Sequence, residues 1–430
     1  MKSKHVSSFI AVVLLLTLII GGSAMASSLH PDLVKKLREE GRLQEYVARM
    51  TDAHARGVDN PERGSVFVPS KSSSLSTKTV DTIRAIVILV DFSDQPYTAG
   101  VVAGTPAMFD SLLFSEGRLN PTGSMTEFYV ENSYGTFFLQ GDVYGWYRMP
   151  QTYAYYVDGE SGFGTYPQNA QALARDAVLA ADPDVNFALY DTYGPSGVPD
   201  GEVDGLFVIH SGPGYEETGD VNDIHSHQWN LRTALNLDGV TVYSYSMEPE
   251  ERINTHSLVD MGVFAHEYGH VLGLPDLYDY DYIPETSEGL GRWSLMAGGS
   301  WNNSGRTPAQ MDAWCKSYVG FLEPTNVTSN MIDVEFPQVE DEPVVYRVWA
   351  NGAVGTQYFL VENRQLTGFD IALPGEGLLI YHVDETRWGN LDVNHYQVAL
   401  EQADGKYDLE FSPNDGDAGD PWPGAVNKRS

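Results

Sequence analysis

Residues 263–279, VFAHEYGHVLGLPDLYD, define both a helix and the turn that follows it. Residues four apart lie on the same face of a helix, so His266 and His270 share one face of the helix predicted over 261–273. Gly273 allows the chain to leave this helix sharply, and Pro275 cannot continue it. The segment therefore predicts a turn that carries Asp276 back towards the two histidines.

These three side chains form a ligand set for a metal ion. Two imidazoles, one carboxylate and a water complete the four-coordinate shell that zinc prefers in catalytic sites. Glu267 lies next to the ligands and can act as general base on a water whose pKa the ion lowers to about 7. Glu285 and Glu288 are alternative third ligands. Their glycine-rich surroundings do not predict the second helix that this alternative needs, which favours Asp276.

A methionine follows in the segment RWSLMAGG, residues 292–299. Met296 lies 20 residues after Asp276 in a predicted turn, and metzincin peptidases have a methionine beneath the zinc at such a turn. The pattern H-E-x-G-H-x-x-G-x-x-D with this turn resembles a metzincin-type zinc endopeptidase. It departs from the metzincin pattern because Asp276 stands where the third histidine would be.

More narrowly, the chain resembles the immune inhibitor A family of secreted bacterial and archaeal metalloproteases. The resemblance extends over about residues 80–424 through blocks at 87–96, 131–147, 200–219, 225–229, 310–324, 358–365, 377–385 and 400–409. It implies an α+β fold, in which a metzincin-like catalytic domain (a mixed sheet with the active-site helix) is followed by a β-rich C-terminal unit. It also implies zinc held by His266, His270 and Asp276, Glu267 as general base, and protein or peptide substrates.

The N-terminus has the pattern of a secretory signal peptide over residues 1–26. Two lysines precede an apolar run from Ile10 to Ile20, and Ala24-Met25-Ala26 is a small-x-small cleavage site. The alternative is a membrane anchor, but the run is short for a span of about 20 residues. We therefore expect cleavage after Ala26, secretion, and no stable membrane insertion afterwards.

Residues 27–80 are predicted to be a propeptide with its linker. An amphipathic helix is predicted over 31–57, and 70–79 (SKSSSLSTKT) is a polar linker. The alternative is a small N-terminal decoration, but an exported peptidase needs silencing during synthesis. Cys315 lies downstream in a predicted helix and is a poor candidate for blocking the zinc. An acidic side chain is the expected cap, and the candidates are Asp32, Asp52 and Asp59.

The elements that follow divide into two units. Between 81 and 322 the patterns predict strands at 84–92, 136–147, 205–210 and 241–247 and helices at 124–134, 168–181 and from Thr307-Pro308 to about Val319. From 323 to 430 they predict short strands at 344–349, 357–362, 377–383 and 396–401. The resembling family commonly continues beyond the DPWPG block, so a shortened product is one interpretation of an end at Ser430.

The charge balance excludes some partners and suggests others. The chain has 26 Lys and Arg against 59 Asp and Glu, a net charge of −33. A surface this acidic argues against nucleic acid and anionic membranes. The chain has 1 cysteine and cannot form an internal disulfide. We therefore expect bound metal ions, rather than disulfides, to stabilise this exported chain.

Acidic loops are the candidates for structural calcium, which prefers oxygen ligands. The first group, in DTYGPSGVPDGEVDG, is Asp191, Asp200, Glu202 and Asp204. The second, in NDGDAGDPWPG, is Asp415, Asp417 and Asp420. The third, beside the zinc loop, is Asp276, Asp279 and Asp281. The resembling family often uses calcium, and the first two groups are favoured equally over the third. The alternative for each group is a solvated acidic loop.

Two further points stay open. His227 is a candidate for contacting substrate or the transition state, or else a structural residue, whereas His210 ends an apolar strand and is expected in the core. A catalytically inactive, calcium-dependent surface or binding protein of the same fold is the alternative function. The presence of both histidines and Glu267 argues against it. A zinc hydrolase acting on a non-peptide bond is a third candidate.

Overall fold

The computed structural model describes residues 28–58, 81–97, 104–117, 122–192, 198–279, 287–412 and 414–428. The predicted signal peptide, the linker at 70–79, Asp59, Asp281 and Glu285 lie outside these residues. Among the described residues, no helix combines the length and the apolar character needed to cross a membrane.

The first sheet has five strands in the order β2-β1-β3-β5-β4. Its strands are β1 Asp81–Asp91, β2 Phe137–Arg148, β3 Leu206–Pro213, β4 His227–Leu237 and β5 Val240–Glu251. Strands β2, β1, β3 and β5 pair in parallel, and β4 runs antiparallel to β5 at the edge. The interior strand β1 is buried on both faces from Ile86 to Val90, which explains its unbroken apolar run.

Helices pack around this sheet, and the apolar pattern predicts some of them. They are α3 Pro106–Phe114, α4 Met125–Asn132, α5 Tyr153–Val157, α6 Ala170–Ala181, α7 Tyr215–Thr218, α8 Met261–Val271 and α9 Ala313–Tyr318. A capping box starts α4: Glu127 N–H donates to Ser124 Oγ at 3.1 Å, and Ser124 N–H donates to Glu127 Oε2 at 3.0 Å. The predicted helices at 124–134, 168–181 and 261–273 correspond to α4, α6 and α8.

The prediction that a helix begins at Thr307-Pro308 is wrong. Helix α9 begins only after Asp312, whose Oδ1 accepts hydrogen bonds from two N–H groups of the first turn. Residues 307–312 are irregular because their backbone groups bond to other parts of the chain. Gln310 N–H, for example, donates to Asp370 Oδ1 at 2.8 Å.

The single helix predicted over 31–57 is two helices, α1 Pro31–Glu40 and α2 Leu43–Ala55. Gly41 ends α1 in the left-handed region with φ of 68°. Both helices bury their apolar sides in the same core as the first sheet. The pair therefore docks on the rest of the molecule.

The second sheet has the order β10-β9-β8-β7-β6, where only β6 and β7 pair in parallel. Its strands are β6 Thr325–Asn326, β7 Tyr346–Trp349, β8 Gln357–Arg364, β9 Gly377–Asp384 and β10 Val398–Leu400, and a short helix, α10 Asp408–Phe411, follows. Buried Arg364 joins this sheet to the first unit: it pairs with Asp370 at 2.6 Å and donates to Trp293 O at 3.3 Å.

Gly262 allows the start of α8 to approach another part of the backbone. A Cβ atom there would overlap the carbonyl of Ser300 and the backbone of Gly305. We expect Gly262→Ala to lower the free energy of unfolding by about 1–3 kcal/mol through overpacking, as measured by chemical denaturation. Gly355→Ala is the control, because its Cβ would meet only Ala353 O at 3.8 Å. Equal stabilities of the two variants would contradict this account of α8.

Candidate metal centre

Two backbone carbonyl groups orient His266 and His270 of helix α8 through their Nδ1 atoms. His266 Nδ1 lies 2.9 Å from Leu295 O, and His270 Nδ1 lies 2.8 Å from Leu274 O. An N–H at Nδ1 donates to each carbonyl, which leaves Nε2 with its lone pair. The two rings stand nearly perpendicular, with centroids 4.9 Å apart. Both Nε2 atoms can therefore coordinate one ion.

Asp276 returns to the histidines as the sequence predicts. Its Oδ1 lies 3.1 Å from His266 Nε2 and 3.4 Å from His270 Nε2. The turn depends on Gly273, which has φ of 89°. Burial alone would raise the pKa of Asp276, but the two histidines outweigh it, so the pKa lies below its usual value.

These donors fit zinc. The three ligand atoms lie within 4.8 Å of one another. Two imidazole nitrogens and one carboxylate oxygen, each supported by the surrounding chain, are a set that zinc binds readily.

Met296 lies beneath this group. Its side chain is fully buried, and a Cβ atom at Gly269, between the two histidines, would overlap its sulfur. Leu277 N–H donates to Met296 O at 2.7 Å, which ties the methionine turn to the loop that carries Asp276. The turn predicted around Met296 therefore supports the ligand loop directly.

Glu267 lies on α8 beside the ligands and is fully buried. A second buried carboxyl, Glu248 on β5, is close enough to feel its charge. Burial first and Glu267 second raise the pKa of Glu248 well above its usual value. A second buried glutamate that the sequence patterns do not reveal therefore interacts electrostatically with Glu267.

Residues 71–322 match the family described as immune inhibitor A peptidase M6, catalytic domain. The chain belongs to the immune inhibitor A peptidase family. It is 32% identical over 280 residues to the pre-pro-metalloprotease PrtV of Vibrio cholerae serotype O1, which covers 55% of this chain and 30% of PrtV. It is 30% identical over 241 residues to immune inhibitor A of Bacillus thuringiensis subsp. alesti, covering 50% of this chain and 34% of that protein.

A more distant relative is a putative secreted metallopeptidase of Arthroderma benhamiae, 22% identical over 291 residues that cover 55% of this chain and 39% of the relative. The match thus spans about a third of the length of each relative. The resemblance to the immune inhibitor A family, drawn from the zinc motif, is confirmed.

Of the two alternative third ligands, Glu288 is described and does not join the group of converging ligand atoms. Glu288 accepts a hydrogen bond from Arg38 at 2.9 Å, and Glu285 lies outside the described residues. Asp279 accepts from Ser287 Oγ at 2.6 Å. Of the three acids named for the zinc loop, the structure describes Asp276 and Asp279. Asp276 contacts the two histidines, whereas Asp279 contacts Ser287.

His227 and His210 are both core residues of the first sheet. His227 on β4 is fully buried, with Nδ1 2.7 Å from His225 O and Nε2 3.2 Å from Tyr245 Oη. These contacts match the structural alternative that the sequence leaves open. His210 is likewise fully buried, with Nδ1 3.1 Å from Ser211 O.

The acids of the first calcium candidate hold their own loop together. Asp191 accepts from Asp200 N–H and Gly201 N–H, each at 3.0 Å. Asp204 accepts from Thr192 N–H and Oγ1, each at 2.6 Å. In the parts of the chain that are described, Asp191, Asp200, Glu202 and Asp204 do not form a group of converging ligand atoms.

In the structure, the acidic residues that converge at the second calcium candidate differ from those that the sequence predicts. Asp417 converges with Asp404 and Asp408, which the sequence patterns did not select. Asp420 instead accepts from Trp293 Nε1 at 3.0 Å, and the Asp415 carbonyl accepts from Arg292 N–H at 2.7 Å. Lys406 lies 2.7 Å from Asp404 and neutralises part of the charge of the group.

One buried histidine of the N-terminal helix pair is not predicted by the sequence patterns above. His54 on α2 is buried, and the charges that act on its imidazole are those of Asp276 and His270. The spacing of Leu43, Val47, Met50 and His54 is a usable signal, since it continues the apolar face of α2. The acids expected to cap the zinc point elsewhere: the side chains of Asp32 and Asp52 are 91% and 73% exposed.

Proposed function

We propose that this family member is a secreted zinc endopeptidase that hydrolyses peptide bonds in proteins. Residues 81–322 are the proposed catalytic domain, 27–80 the propeptide with its linker, and 323–430 a β-rich C-terminal subdomain. The observation that carries the proposal is the convergence of His266 Nε2 and His270 Nε2 on Asp276 Oδ1, next to Glu267. The names of the relatives, which are metalloproteases, support the same reaction.

His266, His270 and Asp276 would hold the zinc. Zinc at this position supplies Lewis acidity, which activates water and polarises the carbonyl group of the scissile bond. The Leu295 and Leu274 carbonyls keep the protons of both imidazoles on Nδ1, so that the Nε2 lone pairs stay directed at the site. Met296 and the turn that carries it keep the Asp276 loop in place.

Glu267 would transfer the protons of the reaction. As general base it takes a proton from the attacking water, and as general acid it delivers that proton to the leaving amine. Glu267 is buried beside two imidazoles and one carboxylate, so the proton moves in a site largely closed to bulk water. This position suits a residue that transfers protons, whereas the three ligand residues would only hold the ion.

Export supports an extracellular role. The N-terminal pattern predicts a signal peptide cleaved after Ala26, and the Arthroderma benhamiae relative is named as a secreted metallopeptidase. Proteins or peptides outside the cell are the proposed substrates.

The test of this function is hydrolysis of labelled casein by the purified, secreted protein. We expect cleavage that 1,10-phenanthroline abolishes and stoichiometric zinc restores. Casein left intact by the matured protein, or cleaved equally well with all metal removed, would contradict the proposal.

Structural calcium stays a prediction for the second acidic loop, at Asp417 with its neighbours Asp404 and Asp408. Three converging carboxylates suit a hard cation. The measurement is the thermal midpoint of the protein with and without a calcium-selective chelator. A midpoint that the chelator leaves unchanged would rule out a stabilising calcium ion.

A further inference from the structure

The loop that carries Asp276 is bonded to three other parts of the chain through its next residue, Leu277. Leu277 N–H donates to Met296 O at 2.7 Å, and Leu277 O accepts from Leu290 N–H at 2.9 Å. The same carbonyl accepts a second hydrogen bond, at 3.0 Å, from Asn390 Nδ2. Both lone pairs of the Leu277 carbonyl are therefore used, and the backbone next to Asp276 is held by three partners.

Asn390 belongs to the proposed C-terminal subdomain. It lies in the loop 385–397 between strands β9 and β10, and its side chain is fully buried. It stands 113 positions from Leu277, and the sequence patterns do not select it. The loop of the third proposed zinc ligand is thus supported by a side chain from outside the proposed catalytic domain.

The hydrogen bonds of Asn390 fix the orientation of its amide group. Val398 N–H donates to Asn390 Oδ1 at 3.0 Å. The two protons on Nδ2 are donated to two carbonyls, Val398 O at 2.7 Å and Leu277 O at 3.0 Å. The opposite orientation would turn the amide oxygen towards both carbonyls and the amide protons towards an N–H. Both donors of this buried amide are therefore committed, one to strand β10 and one to the loop of Asp276.

Gly289 allows a neighbouring segment to reach the same carbonyl. It has φ of 61°, and a Cβ atom there would overlap Leu277 O and the Cα atom of Tyr278. Only a residue without a Cβ lets the backbone of 287–290 lie this close to the ligand loop. The Leu277 carbonyl therefore has one backbone donor, Leu290 N–H, and one side-chain donor, Asn390 Nδ2.

The C-terminal subdomain also bonds to the segment between the ligand loop and the methionine turn. Glu288 N–H donates to Leu409 O at 2.8 Å, and Arg292 N–H donates to Asp415 O at 2.7 Å. The backbone that leads to Met296 is therefore attached to the same subdomain as the ligand loop.

We propose that Asn390 is a positioning residue of the metal centre, through which the C-terminal subdomain holds the Asp276 carboxylate where the two histidines converge. The inference rests on the proposed function, because it concerns the same ligand group. His266 and His270 are fixed by the regular hydrogen bonds of α8, whereas Asp276 lies in a loop after that helix. The position of its carboxylate therefore depends on the contacts of the adjoining residue, Leu277.

A purely structural role of Asn390 is the alternative. Its two bonds to Val398 hold the loop 385–397 to β10, and they would do so without the bond to Leu277. A residue that only stabilises the second sheet leaves the zinc affinity of the folded protein unchanged. A positioning residue changes that affinity, so zinc binding separates the two roles.

The test is the zinc affinity of the full chain in an E267Q background, which prevents self-cleavage. We compare the E267Q parent with E267Q carrying N390L, because leucine has a similar shape and no hydrogen-bonding group. Zinc affinity, measured by competition with a chromophoric chelator, should fall by about tenfold, the lower end of the loss caused by removing the supporting partner of a metal ligand. The visible absorption of the cobalt-loaded variant should change as well, because the Asp276 carboxylate then meets the ion differently.

N363L in the same background is the matched control. Asn363 on β8 donates from Nδ2 to Phe336 O at 2.9 Å and accepts from Gln365 Nε2 at 2.8 Å, and both partners lie in the C-terminal subdomain. N363L should bind zinc like the parent. If it weakens zinc binding as much as N390L does, or if N390L itself binds zinc like the parent, the positioning role of Asn390 is overturned.

Amide hydrogen exchange of the E267Q parent provides a separate test if N390L does not fold. Coupling between two sites is reciprocal, so zinc should slow exchange of Val398 N–H, which donates to Asn390. Val339 N–H, which donates to Asn363 O at 2.8 Å, is the control amide and should not respond. Zinc that leaves Val398 unchanged, or that slows both amides equally, would overturn the proposal.

Failure of the proposed function has a different signature from failure of this inference. If the proposed function fails, the E267Q parent does not take up one equivalent of zinc. If only the role of Asn390 fails, the parent and N390L take up the same equivalent with the same affinity.

Discussion

E267Q should abolish casein hydrolysis while the protein keeps one zinc ion per chain. General acid–base catalysis contributes about 10²–10⁴-fold to a rate, so a loss of that size is expected. Glu267 lies beside the ligand group but is not part of it, so the amide should leave metal affinity unchanged. The measurement is the rate of labelled casein cleavage together with the zinc content of the same sample.

Glu410→Gln is the matched control for this substitution. Glu410 is also a buried glutamate, but it lies in α10 and accepts a hydrogen bond from Gln402 at 2.8 Å. We expect this variant to retain its activity. Activity of E267Q within a few-fold of the wild type would remove Glu267 from the reaction.

D276A should lose the metal. Even outer-shell partners of metal ligands cost about 10–100-fold in affinity when removed, so loss of a direct ligand should exceed this range. The variant also leaves two buried imidazoles without the carboxylate that lies 3.1 and 3.4 Å from them. The measurement is zinc affinity by competition with a chromophoric chelator.

E288Q tests the alternative third ligand in the same assay. Glu288 pairs with Arg38 of α1, so the E288Q variant should retain its zinc and weaken only that ion pair. Retained zinc affinity in D276A together with its loss in E288Q would reverse the assignment of the third ligand.

The sequence predicts the metal centre well because its geometry is local. Four-residue spacing on one helix and a glycine turn determine how His266, His270 and Asp276 meet, and both are visible in the sequence itself. The interior strand β1 is equally clear, since burial on both faces requires a continuous apolar run. Edge strand β4 was not predicted, because its exposed side carries polar residues that hide the alternation.

The contacts made by α1 and α2 could not be predicted in the same way. These two helices pack on residues more than 150 positions away, such as Tyr215 and Trp229. The prediction that Asp32 or Asp52 caps the zinc is wrong. Both side chains are exposed to solvent, so their negative charge does not reach the buried site. The late start of α9 has a similar cause, because distant hydrogen-bond acceptors occupy the preceding backbone groups.

The most direct measurement is a zinc titration of the metal-free, matured protein with casein hydrolysis as the readout. Activity should rise in proportion to added zinc and reach its plateau at one equivalent per chain. E267Q should bind the same equivalent and stay inactive. Hydrolysis that does not depend on zinc, or a plateau that E267Q reaches as well, would contradict a zinc peptidase built on His266, His270, Asp276 and Glu267.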